Sequence, residues 1–234
     1  MSVQYELDGA VAVVTVDDGK ANAYTHELLA ELVDALDRAE REARAVLLSG
    51  RPGRFSAGFD LATMTAGVEP MRALMLDGGR AILRLFASPL PVVVACTGHA
   101  LAAGALVLLA GDHRVGAQGE FRIGLNEVAI GLALPDFAVE LARYRMPPSR
   151  FDAVLLGDVV DPDGAVASGF LDRVVAPDAL VEEARAAAAR YAELDPTAVR
   201  ETKRRARGEL AARLTAGLAD DLATVAAPSQ VPAR

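Results

Sequence analysis

Residues 91–111 are almost wholly apolar, and the form they take constrains everything around them. A membrane-spanning helix needs about 20 consecutive apolar residues. Here Thr97-Gly98-His99 and the glycines divide the run. Its first part, Val92-Val93-Val94-Ala95-Cys96, is short and β-rich, and its second, from about Ala102 to Ala110, reads as a helix. A buried strand, a turn at Gly98 and a buried helix is therefore the expected unit. Burying it requires a full core, which 234 residues with 52% hydrophobic content can supply.

The same alternation recurs along the chain. Val11-Ala12-Val13-Val14-Thr15-Val16 reads as a strand ending in the turn Asp17-Asp18-Gly19. Thr25 is placed to cap a helix carrying Leu28, Leu29, Leu32, Val33 and Leu36 at helical spacing. Ala45-Val46-Leu47-Leu48-Ser49 is the next strand, and residues 71–86 form a helix stopped by Ser88-Pro89-Leu90-Pro91. Short strands are predicted at 113–117, 120–123 and 171–175, then helices over 180–194 and from 197 to about 226. The order implies an α/β core (residues 1–180) with a C-terminal helical region (181–234). The alanine-rich tail helices must cover their apolar faces. Contact between copies of the chain is the expected cover, and packing on its own core is the alternative.

Several function classes fall away. A net charge of -8 argues against a nucleic-acid partner, since phosphate binding needs clustered Lys and Arg. The run Lys203-Arg204-Arg205-Ala206-Arg207 reads as a solvated helix face or a subunit contact, with one residue available to a small anion. Cys96, the single cysteine, is expected to be a buried, inert thiol in a reducing cytoplasm. The N-terminal residues lack a secretory pattern, and no membrane association is expected. His26 and His113 have no partners at metal-ligand spacing, so no metal is expected. Phe55-Ser56-Ala57-Gly58 is not a nucleophile elbow, and phosphate-loop and dinucleotide fingerprints are missing.

Two junctions point to chemistry: Arg54-Phe55-Ser56-Ala57-Gly58-Phe59-Asp60-Leu61 and Thr97-Gly98-His99-Ala100-Leu101-Ala102-Ala103-Gly104. Each is a glycine-bearing turn that follows an apolar run and opens a helix-like stretch. Such junctions leave backbone N–H groups unpaired at the positive end of a helix dipole. Two of them converging would stabilise a developing oxyanion, whether enolate or tetrahedral intermediate.

With Asn22-Ala23, Ile123-Gly124-Leu125-Asn126-Glu127-Val128-Ala129-Ile130-Gly131 and Gly169-Phe170-Leu171-Asp172-Arg173-Val174-Val175, these segments resemble the enoyl-CoA hydratase/isomerase (crotonase) superfamily from about residue 3 to residue 215. The resemblance implies a spiral of ββα turns and C-terminal helices that trimerise, giving a homotrimer or a dimer of trimers. It also implies an acyl-CoA thioester ligand, with coenzyme A as part of the substrate and no separate cofactor. The oxyanion amides then fall on the N–H of Phe59 and of Ala103. Many members carry glycine at 103; alanine there would be strained by about 1 kcal/mol or more at positive φ and unstrained if helical. Ala21, Ala23, Ser56 and Ala57 would line the CoA groove, and Gly58, Asp60, Leu61 and Leu106 would complete the substrate site. Asp60 is alternatively a helix cap. Arg54 or Lys203 would meet the CoA phosphates or lie on the surface.

The carboxylates select the reaction. Hydratases of this superfamily hold a water between two glutamates, and the first of those positions is Leu106 here, which cannot accept a proton. The second is Glu127, followed by apolar residues that would raise its pKa towards a base's useful range. One base with one oxyanion hole suffices to move a 3-enoyl double bond to the 2-position. Leu106, Glu127, Asn126 and Pro135 together resemble Δ3,Δ2-enoyl-CoA isomerases of fatty-acid metabolism. Asp136 lies one residue beyond the position where dienoyl-CoA isomerases carry an aspartate, so it is an outside candidate for a second acid. His99, Met64, Met75 and Leu132 would bound the acyl pocket or pack in the core. Hydration, another crotonase reaction and non-catalytic acyl-CoA binding are the alternatives.

Overall fold

The computed structural model describes residues 2–226; the last residues of the C-terminal region, 227–234, lie outside them. The chain begins with an antiparallel hairpin of β1 (Val3–Asp8) and β2 (Val11–Val16). β3 (Ala23–Tyr24) leads into α1 (His26–Glu42). The Thr25 hydroxyl caps α1 by accepting from the N–H of Leu28, and Leu28, Leu29, Leu32 and Leu36 are buried, as their spacing predicts.

Three ββα turns follow. β4 (Ala45–Ser49), β5 (Gly53–Ser56) and the short β6 (Gly58–Phe59) precede α2 (Leu61–Thr65) and α3 (Val68–Phe86). β7 (Val92–Cys96) and β8 (Gly98–Leu101) precede α4 (Ala103–Ala110). β9 (His113–Ala117) and β10 (Ile123–Gly124) lead through a 3-10 turn at Val128–Ile130 to α5 (Asp136–Arg145) and α6 (Pro148–Leu155). β11 (Val159–Val160), α7 (Pro162–Ser168), β12 (Arg173–Val175), α8 (Leu180–Ala192) and α9 (Pro196–Thr224) complete the described chain.

The first strand of each turn joins a six-stranded sheet ordered β1-β2-β4-β7-β9-β12, parallel except for β1. The second strand joins a four-stranded sheet ordered β11-β10-β8-β5, and β3 pairs in parallel with β6. This is the spiral of ββα turns expected from the motifs. Residues alternate across the larger sheet because side chains along a strand point to opposite faces. Ala12, Val14, Val46, Leu48, Val92 and Val94 face the main core, while Val11, Val13, Leu47, Val93 and Val115 face α8. A sheet buried on both faces explains why β4 and β7 read as continuous apolar runs.

The tail helices find their cover within the chain. Ala184, Ala187 and Ala188 of α8 are buried against the sheet. Leu214, Leu218 and Leu222 of α9 are buried in the main core, next to α3 and α5. Self-packing, given second place from sequence, accounts for these faces. The basic run on α9 is corrected with it. Lys203 and Arg207 point inward to Asp112, and Lys203 also donates to the Leu90 carbonyl. Lys203 therefore does not meet a CoA phosphate, whereas Arg204 and Arg205 are exposed.

Three local expectations also change. Gly98 lies in strand β8 and not in a turn. A methyl group built on it would sit 2.1 Å from the carbonyl carbon of Gly53, so glycine is needed there for backbone contact between β8 and β5. The strand expected at 120–123 is reduced to Ile123–Gly124, and that expected at 171–175 to Arg173–Val175. Neighbouring strands, not local pattern, set how far these ladders extend.

Candidate active site

The two glycine junctions meet. Just after β6 the N–H of Asp60 donates to Tyr24 O at the end of β3, and regular alternation of amides would aim the preceding Phe59 N–H the other way. α4 begins with Ala103, and its first helix bond runs from Leu106 N–H to Ala102 O. The N–H of Ala103 therefore has no acceptor within the helix and lies at its positive end. A methyl built on Gly58 would lie 3.5 Å from the Ala103 nitrogen, and one on Gly104 would lie 2.7 Å from Ser56 O. The loop before α2 and the start of α4 thus touch backbone to backbone. Gly58, at φ +94°, supplies both the left-handed conformation and the missing side chain.

Strain falls one residue before the position suspected from sequence. Ala103 is helical, so alanine costs nothing there, but Ala102 has φ 50° and ψ -122°. Non-glycine residues in such regions carry about 1–3 kcal/mol of strain. Ala102→Gly is expected to raise stability by about 1 kcal/mol after the entropy that glycine adds to the unfolded chain. A urea midpoint that stays put or falls would contradict the strained backbone.

Beside the junctions opens a cavity of about 750 Å³. Ala21, Ala23, Ala57, Phe59, Asp60, Leu61, Leu106 and Glu127 line it, as do Asn126 and Pro135. Met64, Met75 and Leu132 line it too, joined by Phe137 and Ile130. Gly58 and Ala103 stand just behind this wall, both buried. Ser56 is not a groove residue: it is fully buried, donates its hydroxyl to Asn22 O and accepts from Gly58 N–H. His99 lies outside the cavity, where its Nδ1 accepts from Arg122 N–H at 3.0 Å and its ring meets Phe121 edge-on. Asp136 is exposed at the start of α5, with its N–H donated to Asp221, and does not reach the cavity. Arg54 is exposed on a neighbouring basic surface with Lys20 and Arg51.

Three carboxylates border the cavity, and their environments separate them. Asp18 accepts from the N–H groups of Lys20 and Asn22 at 2.7 and 2.9 Å. Asp60 accepts from the N–H and hydroxyl of Thr63, both at 2.8 Å, which caps α2 and holds its carboxyl below the usual range. Glu127 differs. It is 7% exposed, its Oε2 has no hydrogen-bond partner, and burial pushes its pKa up to about 7. The buried Oδ1 of Asn126 also lacks a partner. Leu106, one helical turn beyond Ala103, presents only hydrocarbon. Among the described residues no cluster of His, Cys, Asp and Glu is arranged to hold a metal ion.

One organising residue was not singled out from sequence beyond its place in a motif. Asn22, fully buried at φ 51°, donates its side-chain amide to Val16 O, Arg54 O and Phe55 O and accepts from Asp18 N–H. It joins the end of β2 to β5, the strand that leads to Phe59. An asparagine after a strand and an Asp-Gly turn, able to adopt positive φ, was the available signal.

The enoyl-CoA hydratase/isomerase family model matches residues 6–231. A putative enoyl-CoA hydratase of Thermus thermophilus is 37% identical over 202 residues, 83% of this chain and 79% of that protein. The crystal structure of an enoyl-CoA hydratase/isomerase family protein from Pseudomonas syringae superposes with a TM-score of 0.92 at 39% identity, covering 95% of this chain and 97% of the other. Human mitochondrial delta3-delta2-enoyl-CoA isomerase superposes with a TM-score of 0.90 at 30% identity, covering 95% and 90% of the two chains.

Proposed function

This chain belongs to the enoyl-CoA hydratase/isomerase family, and we propose that within it the protein shifts the double bond of a 3-enoyl-CoA thioester to the 2-position. Glu127 carries this reading. It is the one cavity carboxylate that is buried, unpartnered at Oε2 and held near pH 7, and the position that would supply a second acid is Leu106. The thioester carbonyl would sit between the N–H groups of Phe59 and Ala103. Glu127 removes a proton from C2, the enolate oxygen takes up charge against the two amides, and the same carboxyl returns the proton to C4. The electron pair of the C2–H bond ends as the new C2–C3 double bond and the pair of the broken C3–C4 double bond takes the proton at C4, so no co-reactant is consumed. The low polarity around Leu106, Met75 and Leu132 keeps competing water from the enolate.

Hydration of a 2-enoyl thioester is the competing reaction. Asn126 is the group that would then have to hold water with Glu127, since its buried Oδ1 is also unpartnered. Incubation with 3-enoyl-CoA and 2-enoyl-CoA separates the two. Rapid growth of the conjugated thioester absorbance from the first substrate supports isomerisation. Water addition to the second at comparable speed overturns it, and binding without either conversion leaves a non-catalytic acyl-CoA binder.

A pH profile adds a second test. The base must be ionised, so kcat/KM for isomerisation is expected to rise about tenfold per pH unit below about 7 and to level off above it. A profile flat from pH about 5 to 8 would remove Glu127 as the base. A homotrimer or dimer of trimers belongs to the same proposal on family grounds, as does a cytoplasmic location; a monomer mass in sedimentation would count against the assembly. No described helix is long and apolar enough to cross a membrane.

A further inference from the structure

Phe59 contributes more than a backbone amide. Its ring borders the cavity on one side and rests on α3 on the other, directly over Gly78. A methyl group built on Gly78 would lie 2.1 Å from Cε1, 2.4 Å from Cζ and 3.4 Å from Cδ1 of that ring. Carbon atoms in contact need about 3.5–4.0 Å, so any side chain at 78 would force the ring off the helix by more than about 1 Å. The α3 backbone closes one side, and the open space lies on the cavity side. Met75, one turn earlier on the same face of α3, already forms part of the cavity wall. The slot over Gly78 is therefore continuous with the acyl end of the cavity, whose other walls are Met64, Leu106, Leu132 and Phe137.

We propose that Gly78 is a specificity-determining residue: by presenting no side chain it lets the Phe59 ring fold back into α3 and keeps the cavity deep enough for long, unbranched acyl chains. This rests on the acyl-CoA reading of the site. Gly79 provides the control: a methyl there would press on Leu218 of α9 at 3.0 Å and reach Phe137 at 3.4 Å, an ordinary contact that leaves that wall in place, and none of its three nearest atoms belongs to Phe59.

The test compares short, medium and long thioesters in wild type, Gly78→Ala, Gly79→Ala and Gly78→Ala/Phe59→Leu. In Gly78→Ala the ratio of long-chain to short-chain kcat/KM should fall roughly tenfold or more, as expected when a few methylenes lose their room. The double variant, with its smaller side chain at 59, should recover the wild-type ratio, and Gly79→Ala should keep it. Calorimetric binding of saturated acyl-CoA thioesters should show the same ratios without turnover. That series judges the slot even where the isomerase reading fails, which would show as no turnover by wild type at any length. Phe59→Leu alone, which does not depend on Gly78→Ala folding, should retain or strengthen the long-chain preference. A Gly78→Ala protein whose affinities change equally at all lengths, or a Phe59→Leu protein that loses long chains selectively, would overturn the proposal.

Discussion

Glu127→Gln is expected to abolish isomerisation while making the protein harder to unfold at neutral and alkaline pH. The loss follows from removing the carboxyl proposed to carry the proton between C2 and C4, and should reach roughly 10²–10⁴-fold in kcat. The gain follows from burial. The carboxyl has a folded pKa of about 7 against 4.5 for an ordinary glutamate. Between those values the native state keeps a proton that the unfolded chain has released, so stability falls as pH rises through that window. Above it the native protein carries the whole penalty of a buried charge, about 3 kcal/mol for a shift of this size. Neutral glutamine avoids that penalty but leaves an amide poorly paired, so a net gain of roughly 1–3 kcal/mol is expected at about pH 8. Near pH 4 both side chains are neutral and the two proteins should unfold together. Thermal unfolding at the two pH values, alongside the isomerase assay, checks both halves. Persistent turnover, or a variant equally destabilised at both pH values, would remove Glu127 from its assigned role.

Asp112→Asn should have the largest effect on stability. Asp112 stands between β7 and β9, where it accepts from Val92 N–H at 2.7 Å and receives both Lys203 and Arg207 of α9. Burial alone would push its carboxyl up, yet the two cations outweigh that and hold it below the usual range, so it stays ionised. Arg145 adds a third cation nearby; it donates to the carbonyls of Leu109 and Gly111 at the end of α4, and burial with the neighbouring cations lowers its pKa to about 10. Arg207 also donates to Phe86 O at the end of α3. One carboxylate thus balances the two cations that tie α9 to the end of α3 and to the segments leading into β7 and β9. Asparagine can keep the Val92 bond but leaves the buried cations uncompensated. The expected cost is about 3–5 kcal/mol, or roughly 6–20 °C in Tm for a chain of this size. Adding Lys203→Met should restore part of it, because it removes one of the two buried α9 cations left without a counter-charge while Arg207 remains. A loss below about 1 kcal/mol in the single variant would mean that water reaches the cluster.

The alternation of strands and helices, the capping by Thr25 and Asp60, and the order of the motifs were all legible in the chain itself. So was the asymmetry on which the proposed chemistry rests, an acid at 127 with leucine at 106. These features depend on period, turn residues and spacing, which act over a few residues and leave a local trace. Tertiary structure decided the rest. Gly98 and Gly78 are needed because another segment approaches to within a methyl group's radius, and nothing near them in sequence says which segment that is. Lys203 and Arg207 turn inward because Asp112, some 90 residues away, waits beneath α9. Strain settles on Ala102, and not Ala103, because α4 starts where backbone pairing with the neighbouring sheet leaves it. The apolar residues after Glu127 pointed to the direction of its pKa shift, but its size is a property of enclosure: only the walls that exclude water raise it to about 7.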